Sequence, residues 1–180
     1  TCAAHKFHGP KGVGFIYINH KLKIHPLITG GAQERNMRGG TENAYGIIGM
    51  AKALELAYAE LDEDRKHILG LKEYMKQQLL DEIPGVRFNG DVSERSLFTV
   101  LNVSFPPFDG KDMLLFNLDI SGIAASGGSA CSSGSEIGSH VLRGINSDPE
   151  RPAVRFSFSR YTTKAEVDFC MVNFKALFAV

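Results

Sequence analysis

A chain of 180 residues, 43% hydrophobic and 22% charged, carries enough apolar material for a packed core and lies outside the disordered class. Twenty Lys and Arg balance twenty Asp and Glu, and zero net charge excludes a general nucleic-acid binder or a membrane-surface protein, both of which need net positive charge. No apolar run approaches the roughly 20 residues of a membrane-spanning helix, nothing at the start reads as a secretory signal, and Cys2, Cys131 and Cys170, widely spaced, read as reduced thiols of a cytoplasmic protein and not as a zinc site or disulfide framework.

Thr1 to Asn43 reads as loop and strand. The run Val13-Gly14-Phe15-Ile16-Tyr17-Ile18 predicts a short buried strand between HKFHGPKG (5–12) and the glycine-rich loop TGGAQERNMRGGTEN (29–43). This end is locally basic, with six Lys or Arg against two Glu over residues 1–43. From Glu42 the period becomes helical. Ile47, Ala51, Leu54, Ala57, Leu61, Ile68, Leu71, Met75 and Leu79 recur at steps of mostly three and four. Thr41 is the predicted N-cap, Glu42 sits where the helix dipole favours an anion, and Pro84-Gly85 ends the run. Such a helix would be about 60 Å long at 1.5 Å per residue, longer than a small domain is wide. It therefore runs between two domains, with a bend expected near Gly70.

An α+β unit follows, with strands expected at 86–89, 97–105, 122–126 and 153–159 and helices at 110–118, 136–144 and 163–178. No repeat or low-complexity tract is visible.

Three residues stand out chemically. Lys6 lies between histidines and glycines on a loop feeding the first strand, where a lysine can be held against a cofactor aldehyde. GPKGVG is not a phosphate loop, because the Lys-Ser/Thr pair is absent and a strand follows instead of a helix. Cys131 sits in ASGGSACSSGSE (125–136), a run of small residues that reads as a mobile or tightly turned loop and suits a nucleophilic thiol. Cys170, on a helix face beside Phe169 and Met171, reads as inert. Arg155 lies in the alternating run Val154-Arg155-Phe156-Ser157-Phe158, sharing a face with Ser157 and Ser159, and offers the guanidinium fork that grips a carboxylate. Arg160 reads as a surface residue.

HKFHGPKGVG (5–14), RNMRGGTEN (35–43), SGGSACSSG (126–134) and VRFSFSRYTT (154–163), in this order, resemble the C-terminal half of a cysteine desulfurase of the NifS/IscS type, within the class V aminotransferase-like family that depends on pyridoxal phosphate (PLP). The resemblance implies an α/β chain, the C-terminal part of a fold-type I PLP-dependent transferase. Residues 1–43 would end the large PLP-binding domain, 44–84 would form the connecting helix, and 85–180 a small α+β domain. It implies that Lys6 binds PLP covalently, that His5 donates to the cofactor phosphate, and that Thr41 reaches the phosphate of the neighbouring subunit's PLP, making a homodimer part of the site. Arg155 would bind the carboxylate of L-cysteine, and Cys131, on the longer of the family's two cysteine-loop types, would take the sulfur as a persulfide and leave alanine. The sulfur would pass to an acceptor or scaffold protein for iron–sulfur cluster assembly, with no metal, nucleic acid or membrane involved. Two departures matter: Ala3 and Ala4 stand where family members often have a phosphate-binding serine, and the family's pyridinium-pairing Asp and ring-stacking His lie upstream of the PLP lysine, so the chain is expected to be half an enzyme. Selenocysteine lyase, another class V lyase, and a non-catalytic dimerisation or binding module are the alternative readings.

Overall fold

The computed structural model describes residues 1–127 and 139–178. The chain forms two compact units, Thr1–Asp62 and Glu63–Val180.

In the first unit, β1 (Cys2–Ala3) pairs antiparallel with β2 (Gly14–Phe15), Cys2 opposite Phe15 and Ala3 opposite Gly14. A side chain at position 14 would place its Cβ 2.4 Å from the Cys2 carbonyl oxygen, so only glycine fits this pairing. The expected buried strand over 13–18 is thus shorter and exposed. Its partner β1 is two residues long, and beyond Phe15 no strand lies beside it among the described residues. Ile16 and Tyr17 consequently stand 60% and 79% exposed. After the short turn α1 (Gln33–Asn36), α2 runs from Ala44 to Ala59, with Gly49 so close to Pro10 that a Cβ there would lie 2.7 Å from the ring.

The helical period breaks at Glu60, before α3 (Leu61–Glu82), and not at Gly70. Glu60 leaves helical geometry at φ −105°, ψ 2°. Gly70, exposed and with open space around it, stays inside α3: one glycine costs a helix about 1 kcal/mol, which the burial of the flanking turns outweighs. The apolar stripe is used differently on either side of the break. Ile68, Leu71, Met75 and Leu79 of α3 are buried, whereas Tyr45, Ile47, Ile48 and Leu56 of α2 are exposed.

In the second unit, β3 (Arg87–Phe88), β4 (Val100–Ser104) and β5 (Ala153–Ser157) form an antiparallel sheet in that order. Gly122–Ser126, expected as a strand, contributes only a single bridge between Ser126 and Arg155. Helices α4 (Leu114–Ile120), α5 (His140–Gly144) and α6 (Lys164–Phe178) complete the unit. The two-residue period of the strands sorts the sheet into faces. Leu101, Val103, Val154 and Phe156 point into the core with Met75, Leu79, Leu114, Leu118, Val167, Met171 and Phe174. Residues Asn102, Ser104, Arg155 and Ser157 take the opposite face. Phe174 of α6 seats the helix on the sheet, stacking on Phe105 at 4.8 Å and meeting Phe156 edge-on at 5.7 Å.

Residues 91–98 are tied to α3 by two cations one heptad apart. Arg65 donates to the Glu94 carbonyl and lies over the Phe98 ring, while Lys72 donates to Ser96 Oγ (2.9 Å) and the Leu97 carbonyl (3.1 Å).

Candidate active site

The lysine turn is built by backbone hydrogen bonds. Ala4 N–H donates to the Val13 carbonyl (3.0 Å), which turns the chain out of β1 into a 3₁₀ turn over Ala4–Phe7. His8 closes it in the left-handed region (φ 67°), and Gly9 N–H returns to the Ala4 carbonyl at 2.8 Å. A Cβ on Gly9 would stand 2.9 Å from the Ala4 methyl, so this close approach requires glycine. Ala4 is fully buried, and His5 and Lys6 are exposed. The Lys6 side chain is therefore exposed on a fixed backbone, one residue after His5.

The glycine-rich loop folds back on itself in the same unit. Gly39 N–H donates to the Ile28 carbonyl (3.0 Å) and Gly40 N–H to Gln33 Oε1 (3.1 Å). Gly39 lies so close to Gly30 that a Cβ would fall 3.0 Å from its Cα. Thr41, the expected N-cap of the next helix, does not cap it. Asn43 does, its Oδ1 accepting from Gly46 N–H at 3.1 Å, because helical geometry begins at Ala44 and the cap is the residue immediately before it. Thr41 is left exposed between the loop and α2, its hydroxyl unused by the cap.

Arg155 belongs to the second unit, at the centre of β5. Its own backbone pairs with Ser126, N–H to carbonyl at 2.6 Å and carbonyl to N–H at 3.2 Å. The side chain lies on the sheet's polar face, and its Nε is buried with no hydrogen-bond partner. A buried guanidinium nitrogen left unpaired is costly, and the acceptor that suits it is an anion with two oxygens, met by parallel N–H groups. Arg160, read as a surface residue, is instead part-buried and pairs with Asp64 at 2.7 Å.

Cys131 lies outside the described residues. Cys170 is half-buried on α6, and burial, reinforced by the charge of Glu166, pushes its thiol above the ordinary range, which disfavours the thiolate. His5, Lys6 and Thr41 thus occupy the first unit, the first two on one turn, and Arg155 the second.

Sequence reasoning missed a polar cluster beside Arg155. Asn89 Nδ2 donates to Asn102 Oδ1 and to Ser104 Oγ, both at 2.7 Å, and Ser147 Oγ donates to Asn89 Oδ1 at 3.0 Å. The alternation in Leu101-Asn102-Val103-Ser104 carried the signal, but only the strand register shows that Asn102 stands opposite Arg155. No group of three metal-ligating side chains occurs among the described residues, and none of their helices is long and apolar enough to cross a membrane.

Residues 1–169 match the aminotransferase class-V family. The chain is 46% identical over 173 residues to the cysteine desulfurase IscS of Dictyoglomus turgidum and 44% identical over 175 residues to the cysteine desulfurase of Klebsiella pneumoniae, covering 95% and 96% of itself and 43% of each relative. It therefore spans about two fifths of the length of these curated relatives. Among solved structures it resembles a NifS-like protein with TM-score 0.82 at 38% identity, over 97% of this chain and 44% of that one. The α/β fold expected from the motifs is the fold of these NifS-like proteins. The chain belongs to the aminotransferase class-V family.

Proposed function

We propose that the chain carries one part of the active site of a PLP-dependent cysteine desulfurase, converting L-cysteine to L-alanine with the sulfur retained as a Cys131 persulfide. The observation that carries the reading is the buried, unpartnered Nε of Arg155 in a chain whose relatives bear the name cysteine desulfurase. Residues 1–43 are assigned to the end of the large domain, 44–84 to the connection and 85–180 to the small domain.

The residues present suit pyridoxal phosphate: an exposed lysine on a turn fixed by hydrogen bonds, an exposed histidine on the same turn, and a free threonine hydroxyl after a folded glycine loop. When bound, the cofactor supplies an electron sink. Lys6 would hold it covalently, and the Lys6 amine would move a proton at the substrate carbon. His5 would donate to the phosphate, and Thr41 would donate to the phosphate of the cofactor in the partner subunit of a homodimer. Arg155 fixes the substrate carboxylate and so orients the cysteine side chain. The Cys131 thiolate attacks the substrate sulfur. A sulfur–sulfur bond forms, the carbon–sulfur bond breaks, and its electron pair remains on the carbon, which takes a proton to give alanine. The persulfide then passes to an acceptor protein for iron–sulfur cluster assembly in the cytoplasm. The relatives' names favour cysteine over selenocysteine as substrate and an enzyme over a binding module.

The test is the holoenzyme given L-cysteine. It releases alanine and sulfide, Cys131→Ala ends persulfide formation, and Lys6→Ala removes the cofactor's lysine-dependent visible absorption. Full sulfide release from Cys131→Ala refutes the nucleophile, and an unchanged absorption band in Lys6→Ala refutes the cofactor assignment.

A further inference from the structure

We infer that Asn102 is a second donor to the carboxylate bound by Arg155 and so a determinant of the site's preference for amino acids with a free carboxylate, an inference that rests on the carboxylate role of Arg155 proposed above. Four observations place it there. Asn102 on β4 is the register partner of Arg155 on β5. The Arg155 backbone N–H and carbonyl are both taken by Ser126 on the far side, so Asn102 and Arg155 form a non-hydrogen-bonded antiparallel pair. In such a pair the Cα atoms approach to about 4.5 Å and the side chains are at their closest.

The Asn102 side chain is also oriented. Its Oδ1 accepts from Asn89 Nδ2 at 2.7 Å, and Asn89 is fixed in turn by Ser104 Oγ (2.7 Å) and Ser147 Oγ (3.0 Å). Asn89 follows β3, on the side of β4 remote from β5. With Oδ1 committed to that side, the Nδ2 group is turned away from β3, and among the described residues nothing accepts its two N–H groups. Beside it, the Arg155 Nε is likewise without an acceptor.

The polar face thus presents two neighbouring donors, one charged and one neutral, and no carboxylate among the described residues pairs with either. A single water could not satisfy a guanidinium and an amide together as well as the two oxygens of a carboxylate. Asn is the right residue for the second position because it adds donors without adding charge. An aspartate there would keep the bond from Asn89, pair with Arg155, and close the site to an anion.

The experiment compares wild type, Asn102→Ala, Asn102→Asp and Arg155→Ala as holoenzymes. It measures steady-state kinetics on L-cysteine and, separately, equilibrium binding of L-alanine and L-alaninamide by calorimetry. The ratio of the two affinities reports the carboxylate preference. Asn102→Ala is expected to raise KM about tenfold and cut the preference about tenfold, the scale of one hydrogen bond to a charged group. Asn102→Asp is expected to do so about a hundredfold, with kcat changed less than about threefold in both. A lost preference in Arg155→Ala with an unchanged one in both Asn102 variants overturns the inference while leaving Arg155 in place. An unchanged preference in Arg155→Ala refutes the Arg155 reading, and the Asn102 inference with it. A fall in kcat and melting temperature with the preference intact shows Asn102 to be a structural residue and also overturns it.

Discussion

Replacing Phe174 by alanine tests whether the aromatic cluster is what holds the Arg155 strand to its helix. Phe174 is fully buried; its ring stacks on Phe105 at 4.8 Å, meets Phe156 edge-on at 5.7 Å and reaches Phe178 at 6.4 Å. Truncating a buried phenylalanine costs about 3–5 kcal/mol, and aromatic neighbours, worth about 0.5–1.5 kcal/mol a pair, place this site near the top of that range. Against a typical total of about 5–15 kcal/mol, the loss is severe. For a unit of this size it corresponds to a fall in Tm of about 12–20 °C. Phe169→Ala, on the same helix but 50% exposed, should change stability by about 0.5 kcal/mol or less. Scanning calorimetry of the two variants makes the comparison. Because Phe156 is the chain neighbour of Arg155, the milder Phe174→Leu should fold and still loosen β5, raising KM for L-cysteine more than it lowers kcat. A fall in Tm below about 4 °C for Phe174→Ala, or one no larger than that of Phe169→Ala, would refute the claim that this ring seats α6 on the sheet.

Burial holds the Lys72 ammonium below its ordinary value of 10.5. The unfolded chain therefore binds more protons between the lowered folded value and 10.5, and stability rises with pH through that window. The neutral amine keeps two N–H groups for Ser96 and Leu97, so the loop at 91–98 should stay protected from hydrogen exchange at high pH, and Lys72→Met should flatten the alkaline rise in denaturant midpoint. Hydrogen bonds from the Thr163 backbone and hydroxyl hold the Glu166 carboxyl below 4.5. Its contribution is present above 4.5 and lost as pH falls through the folded value, so Glu166→Gln should remove part of the acid slope of stability; an unchanged slope between pH 3 and 6 would contradict the reciprocal cap with Thr163. Cys170, its thiol pushed up by burial, should alkylate with iodoacetamide at neutral pH far more slowly than Cys131, as peptide mass spectrometry would read. Equal rates would remove the argument for Cys131 as the nucleophile.

How far the sequence could be read depended on where each residue's environment comes from. Helix α6 was legible almost to the residue, because Thr163 and Glu166 form a local cap and Val167, Met171 and Phe174 mark its buried face. Strands β4 and β5 were legible because each alternates, and Arg155 stood out as a charge within such a pattern. The helix break at Glu60 was not, since Gly70 carries the stronger local signal and burial of α3 overrides it. The N-cap was misplaced by two residues because Thr41 and Asn43 are both competent caps and only the fold of the preceding loop chooses between them. The strand at 13–18 has the composition of an interior strand, yet composition reports what a strand can be buried against and not what lies beside it.

The polar face of the sheet carries the same lesson into the site. Asn89, Asn102, Ser104 and Arg155 come from three strands or their ends, and no spacing within one strand reveals that they meet. Register does so, and register is set on the other face, where Leu101 opposes Phe156 and Val103 opposes Val154. A one-residue slip of β5 would carry Arg155 into the core and Phe156 out of it. The large cost of that exchange fixes Arg155 opposite Asn102. The apolar packing under the sheet therefore determines which donors stand together above it, and a core substitution such as Phe174→Leu should be felt first in carboxylate binding.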